Sequence, residues 1–102
     1  MLFDVRTFDR DGWTVVSVVG EIDLATMPAL RQQLAAVTGT RIALDLSGVD
    51  HVDPVTFGVL IAAALGARRR GAEFQVRCPP GRPRDLLAET ELDRILTVVD
   101  PT

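Results

Sequence analysis

The sequence predicts an α/β fold in which helices pack on a mixed, mostly parallel β-sheet. Runs rich in β-branched residues alternate with stretches whose apolar residues repeat at helical spacing, which is typical of this class. A turn signal at residues 9–12 joins the first two β runs as an antiparallel hairpin, so the sheet is mixed. With 102 residues, 47% of them hydrophobic, the chain suffices for one modest core, and we expect a single domain over residues 1–102.

The predicted elements follow from these patterns in chain order. The strand at residues 41–46 is apolar almost throughout, which favours burial on both of its faces. The expected elements are strands at 2–8 and 13–23, a helix from Met27 to about 37, a strand at 41–46, a helix at 54–70, a strand at 73–78, a short helix at 84–89, and a helical turn and closing strand within 92–99.

Local signals also mark where the two longer helices begin. Thr26 is the expected N-cap of the first helix, because its hydroxyl is suited to accept a hydrogen bond from the first turn. Asp53 followed by Pro54 predicts an N-cap and a first helical position for the second helix. The polar stretch at residues 47–52 is predicted to be a turn between the third strand and this helix.

Composition excludes several classes of function. A net charge of −3 argues against a general nucleic-acid binder. The single cysteine, Cys78, rules out an intramolecular disulfide, and the N-terminus lacks the pattern of a secretion signal, so a cytoplasmic location is expected. The longest apolar run, residues 55–67, is shorter than the roughly 20 residues of a spanning helix, so no membrane insertion is expected.

Catalytic and metal-binding signals are weak. His51 is the sole histidine, and no other ligand type stands near it at metal-binding spacing. No nucleophile elbow or glycine-rich phosphate loop is visible, and the protein is therefore expected to be neither an enzyme nor a cofactor carrier. One position does carry a chemical signal, namely the point at Asp53 where a strand leads into a helix. Backbone N–H groups collect at a helix N-terminus and favour the binding of a phosphate there.

The segment from Leu44 to Leu60 resembles the phosphorylation loop of bacterial anti-sigma factor antagonists of the STAS family. That family shows D-L-S, a short spacer and then D-S-S-G-L-G, with the second serine of the pair phosphorylated. The corresponding residues here are Asp53, Pro54, Val55, Thr56, Phe57 and Gly58. Val55 therefore stands where the phosphorylated serine is expected, and it has no oxygen that can accept phosphate.

A second resemblance lies in Gly20-Glu21-Ile22-Asp23, which is similar to the G-E-[LI]-D motif of STAS domains. The resemblance implies that Asp23 and Asp53 flank the phosphorylation site and help to shape the surface that faces the kinase. The simpler interpretation is that Asp23 ends a strand and starts a turn. The likeness covers nearly the whole chain and includes residues 86–93, which resemble an L-L-x-x-x-G-L-D segment with Glu91 in the glycine position.

The resemblance implies an anti-sigma factor antagonist, a protein that binds an anti-sigma factor of the serine kinase type and so releases a sigma factor. The protein partner is thus an anti-sigma factor, and a monomer or weak dimer is expected. The loss of the serine implies either a constitutive antagonist or control through Thr56, whose hydroxyl is the candidate substitute phosphoacceptor. A subunit of a signalling scaffold and a subunit of a lipid-handling ABC transporter remain the alternatives.

Overall fold

Five strands form one sheet in the order β1-β2-β3-β4-β5, in which β1 pairs with β2 in antiparallel fashion and the other neighbours are parallel. The computed structural model describes residues 3–101. Its elements are β1 (Phe3–Arg10), β2 (Trp13–Ile22), α1 (Met27–Ala36), β3 (Arg41–Val52), a 3₁₀ turn (Pro54–Thr56), α2 (Phe57–Arg69), β4 (Glu73–Arg77), α3 (Arg82–Glu89), a second 3₁₀ turn (Leu92–Arg94) and β5 (Thr97–Val99). The predicted mixed sheet with an N-terminal hairpin is confirmed.

The helices pack against one face of the sheet. In the parallel strands this face carries alternate apolar residues, since successive side chains of a strand point to opposite sides. Together with residues of α1, α2 and α3 they form one buried cluster, whose central members are Val16, Leu44, Val76, Leu30, Leu60 and Leu87. Across residues 3–101, no helix is both long and apolar enough to span a bilayer.

The opposite face of the sheet has its own local packing around Trp13. The guanidinium carbon of Arg41 lies 4.4 Å from the centre of the indole ring and that of Arg77 lies 5.5 Å from it. These distances are within the range of cation–π contacts. On the same face Val15 and Ala43 are buried, so the central strands are buried on both sides, as the apolar run at 41–46 predicts.

One expectation about β3 is wrong. The stretch at residues 47–52, expected to be a polar turn, continues the strand as far as Val52. It does so because β2 pairs with it up to the match of Ile22 with Val52, with two register shifts that accommodate extra residues in β3. Parallel pairing with a long neighbour thus overrides the local preference of Ser47-Gly48 for a turn.

The helix boundaries need smaller corrections. The second long helix does not run uninterrupted from residue 54, since Pro54–Thr56 form a 3₁₀ turn and α2 spans Phe57–Arg69. The short helix expected from Arg84 begins at Arg82, one residue after Gly81. Met27 is confirmed as the start of α1.

Candidate functional site

The candidate site lies at the edge of the sheet where β2 and β3 end. Ile22 and Val52 are register partners at the ends of these parallel strands, and the Asp53 amide donates to the Ile22 carbonyl over 2.8 Å. Each strand is followed at once by an aspartate and then by a loop into a helix. The structure therefore brings Asp23 and Asp53 onto neighbouring strand ends, as expected for two adjacent strands.

The carboxylate of Asp23 shapes the first of these loops. Its Oδ1 accepts hydrogen bonds from the amides of Ala25 and Thr26, at 2.9 and 3.0 Å. Thr26 is the N-cap residue of α1, as expected, but its side chain makes no capping hydrogen bond. Its hydroxyl instead donates to the Glu21 carbonyl over 2.7 Å and accepts from the Asp23 amide over 3.0 Å. Asp23 thus ends the strand and starts the turn, and Thr26 ties that turn back to β2.

Asp53 has the same part in the second loop. Its Oδ1 accepts the Val55 amide over 3.1 Å, and Pro54 occupies the first position of the following turn, so the N-cap prediction is confirmed. Thr56 turns inward, and its amide and hydroxyl donate to the Asp53 carbonyl over 2.9 and 2.7 Å. With 1% of its surface exposed, the Thr56 side chain is buried. A kinase cannot reach this hydroxyl in the conformation described.

An aliphatic side chain projects into solvent at the tip of each loop. Val55 is 61% exposed and Leu24 is 62% exposed. Leu24 is not among the site residues predicted from the sequence. Its signal is the spacing Asp-x-x-Thr, which residues 23–26 share with residues 53–56. The other predicted site residue, Phe57, is buried in the core at the start of α2.

The charge around these two tips is negative. Asp23 and Asp53 are accompanied by Glu21 and Asp50, which lie in the last residues of β2 and β3. Within residues 3–101, no group of three or more His, Cys, Asp or Glu side chains is placed to hold a metal ion. The edge therefore offers two exposed apolar tips in an acidic surrounding, a surface suited to docking another protein.

The arrangement also bears on a phosphate at this loop. Only the backbone amides of Val55 and Thr56 precede α2 within the 3₁₀ turn, and both already donate to Asp53. Because these two amides are already engaged, a phosphoryl group on residue 55 would act through added negative charge and bulk on an exposed tip. Val55 cannot carry that group.

The fold and the two exposed loop tips define a small α/β domain with a surface suited to docking another protein. A sequence profile of the family described as "Mlab, STAS domain" matches residues 7–99. The chain therefore belongs to the STAS domain family.

Three solved structures illustrate the likeness. An anti-sigma factor antagonist from Mycobacterium paratuberculosis superposes with a TM-score of 0.87 at 31% identity, over 99% of this chain and 87% of that one. The STAS domain of an anti-sigma factor antagonist from Rhodobacter sphaeroides has a TM-score of 0.59 at 25% identity, over 74% of this chain and 85% of that one. The phosphorylated form of the Bacillus cell fate determinant SpoIIAA has a TM-score of 0.72 at 14% identity, over 99% and 92%, and shares the fold.

Proposed function

We propose that this STAS domain is an anti-sigma factor antagonist whose phosphorylation switch at the Asp53 loop has been lost. Docking on an anti-sigma factor of the serine kinase type releases a sigma factor, with no catalytic step and no cofactor on this chain. The proposal places the protein in the cytoplasm with its partner. Its main support is Val55, an aliphatic residue 61% exposed at the loop tip where the family resemblance implies a phosphorylated serine.

The docking surface we infer consists of the tips Leu24 and Val55 with the acids around them. Exposed apolar residues ringed by charge are characteristic of protein interfaces. In a switchable antagonist, a phosphate at position 55 adds nearly two negative charges to this surface and weakens docking. Since Val55 cannot be phosphorylated, we expect the present chain to stay competent for binding whether or not ATP is present.

Control through Thr56 is the less favoured version of this proposal. The hydroxyl is buried and donates to the Asp53 carbonyl, so phosphorylation would require the 3₁₀ turn to open. Phosphate found on Thr56 of the native protein would show that the switch has moved by one residue and would contradict the loss of control proposed here.

The direct test is a tagged pull-down from the native host with mass spectrometry of the partners and the bait. We expect an anti-sigma factor kinase together with an unmodified bait. Permease and ATPase subunits in place of a kinase would overturn the proposal in favour of the transporter alternative. Co-assembly into large particles of STAS proteins would favour the scaffold alternative.

Substitutions at Val55 test the role of the loop with the captured kinase. Val55→Ser should become phosphorylated in the presence of ATP and then lose the partner. Val55→Asp imitates part of that charge and should weaken binding by about tenfold or more. Ile95→Asp is a matched control, since Ile95 is 43% exposed and its carbonyl accepts a hydrogen bond from Arg68, at the opposite end of α2 from the Asp53 loop. Equal binding by Val55→Asp and the unsubstituted chain would show that the loop is not the docking surface.

A further inference from the structure

The outer surface of α2 is apolar although it faces solvent. Gly58, Ala62 and Leu65 are exposed and follow each other at helical spacing, and Leu65 is 42% exposed. From Phe57 to Ala67 the helix carries no charged or polar side chain. Soluble helices ordinarily place charges on such a face, and an uncovered apolar face of this kind marks an interaction surface.

Beside this face a groove of about 380 Å³ runs between α1 and α2. Arg31 and Leu34 line its α1 side, and Gly58, Gly66 and Arg70 lie on its α2 side. A Cβ atom built on Gly58 or on Gly66 would meet no heavy atom within 4 Å, so the space above both glycines is open. The α2 surface therefore combines a projecting side chain, Leu65, with a recess that is lined by apolar residues and by the two arginines, Arg31 and Arg70.

The two ends of α2 carry opposite charges. Asp53 precedes the 3₁₀ turn at its N-terminal end, and Arg69 continues the exposed face at its C-terminal end. Arg68 and Arg70 donate to backbone carbonyls of Ile95, Val37 and Gly39. Arg69, in contrast, forms no ion pair or side-chain hydrogen bond with any residue between 3 and 101. The helix dipole favours an antiparallel arrangement of two copies, since the positive N-terminal end of one helix then lies beside the negative C-terminal end of the other.

We propose that the outer face of α2 is the docking site for a second copy of this chain, with the two α2 helices crossing antiparallel about a twofold axis at Ala62. Leu65 lies three residues after Ala62 and Gly58 lies four residues before it, so each Leu65 enters the open space above the partner helix's glycine at position 58. Arg69 lies seven residues after Ala62, opposite position 55, within reach of the partner acid at position 53. Shape and charge are complementary in the same orientation.

The size of this contact predicts a weak dimer. A helix of 13 residues is about 20 Å long and, with side chains, about 10 Å across. Two such faces bury less than the roughly 800 Å² per partner of a standard stable interface. Monomer and dimer should therefore exchange as concentration changes.

Sedimentation equilibrium of the full chain over a wide concentration range tests the association. The average mass should rise from that of the monomer towards that of the dimer, and added salt should lower the dimer fraction because the end charges are screened. A monomeric mass at every concentration would overturn the proposal and leave the groove to a different partner.

Matched variants then locate the contact. Leu65→Gln and Gly58→Leu should each weaken the dimer by about tenfold or more, the first by removing the inserted side chain and the second by filling its recess. Ile95→Gln is the control, because Ile95 is 43% exposed, nearly the same as Leu65 at 42%. An equal loss with Ile95→Gln, or no loss with the two α2 variants, would place the dimer contact elsewhere and contradict the proposal.

Cysteine pairing tests the orientation. Chains with Gly58→Cys and chains with Leu65→Cys are mixed and oxidised with copper–phenanthroline, while the native Cys78 stays buried. Helices packed about 8–10 Å apart bring facing Cα atoms within the range of a disulfide. Antiparallel crossing predicts the mixed disulfide between positions 58 and 65, whereas predominant 58–58 and 65–65 products would overturn the antiparallel arrangement.

Discussion

Asp53 determines how the chain leaves β3 and enters the helical segment. Its carboxylate accepts the Val55 amide, and its carbonyl accepts both the amide and the hydroxyl of Thr56. These bonds hold the 3₁₀ turn in which Thr56 faces the core and Val55 faces solvent. A single residue, through its carboxylate and its backbone carbonyl, thus fixes which residue of the loop is available to a partner.

Loss of this cap should be measurable as a loss of stability. Asp53→Ala removes the acceptor for the Val55 amide and should lower the free energy of unfolding by about 1 kcal/mol, and Asp53→Asn should lower it less. Urea denaturation of each variant measures the difference. Asp50→Ala, at an exposed position of β3, is the control, and an equal effect at both positions would contradict a capping role for Asp53.

Strand β3 shows how one element meets a packing constraint. Between the pair of Ser17 with Asp45 and the pair of Val19 with Gly48, β3 contains one residue more than β2. Gly48 lies against the neighbouring strand at this irregularity. A Cβ atom built there would lie 2.9 Å from Val19 Cγ2 and 3.1 Å from the Val18 carbonyl oxygen. Only glycine lets the two strands approach so closely, which is how β3 continues to the site.

Gly48→Ala should therefore destabilise the domain, because the backbone of Val18 has no room to move away. We expect a loss of about 1–3 kcal/mol in the free energy of unfolding. Gly66→Ala is the paired control, since its Cβ meets open space inside a helix and should raise stability by up to about 1 kcal/mol. Thermal or urea unfolding of both variants gives the comparison, and a neutral Gly48→Ala would refute this account of the strand.

At the scale of the whole molecule, few side chains change their charge at alkaline pH. All 11 basic side chains are arginines, which stay charged, and the chain has no tyrosine. Cys78 is buried among core residues contributed by β4 and the helices. Burial raises the pKa of its thiol above the ordinary 9.0, with the Arg84 guanidinium opposing this rise and the Asp45 carboxylate adding to it.

A raised pKa in the folded state predicts that stability falls as the pH rises above about 9. The unfolded chain then loses its thiol proton while the folded chain keeps it, so unfolding becomes more favourable. Urea unfolding at several pH values between 8 and the onset of general alkaline denaturation measures this slope. Cys78→Ala should flatten the slope above pH 9 whatever its own stability, and an unchanged slope would assign the effect to another group.

Several parts of this protein follow from the sequence because their causes are local. The hairpin turn, the alternation of strands and helices, and the Asp53-Pro54 cap each depend on neighbouring residues, and all three are present in the structure. The absence of a hydroxyl at position 55 is likewise a property of the sequence alone. This absence supports the proposed loss of the phosphorylation switch, and it can be read without knowledge of any tertiary contact.

The tertiary structure decided what depends on distant pairing and burial. Residues 47–52 carry turn signals yet extend β3, because β2 supplies hydrogen-bond partners along their length. Thr56 is equally plausible as an exposed or an inward-facing side chain until the loop folds onto the core, and there its hydroxyl bonds to the Asp53 carbonyl. The shared exposure of Leu24 and Val55 arises only when two parallel strands end side by side. Local preference is worth a few tenths to about 1 kcal/mol per residue, and the sheet pairing and burial that form across the chain outweigh it.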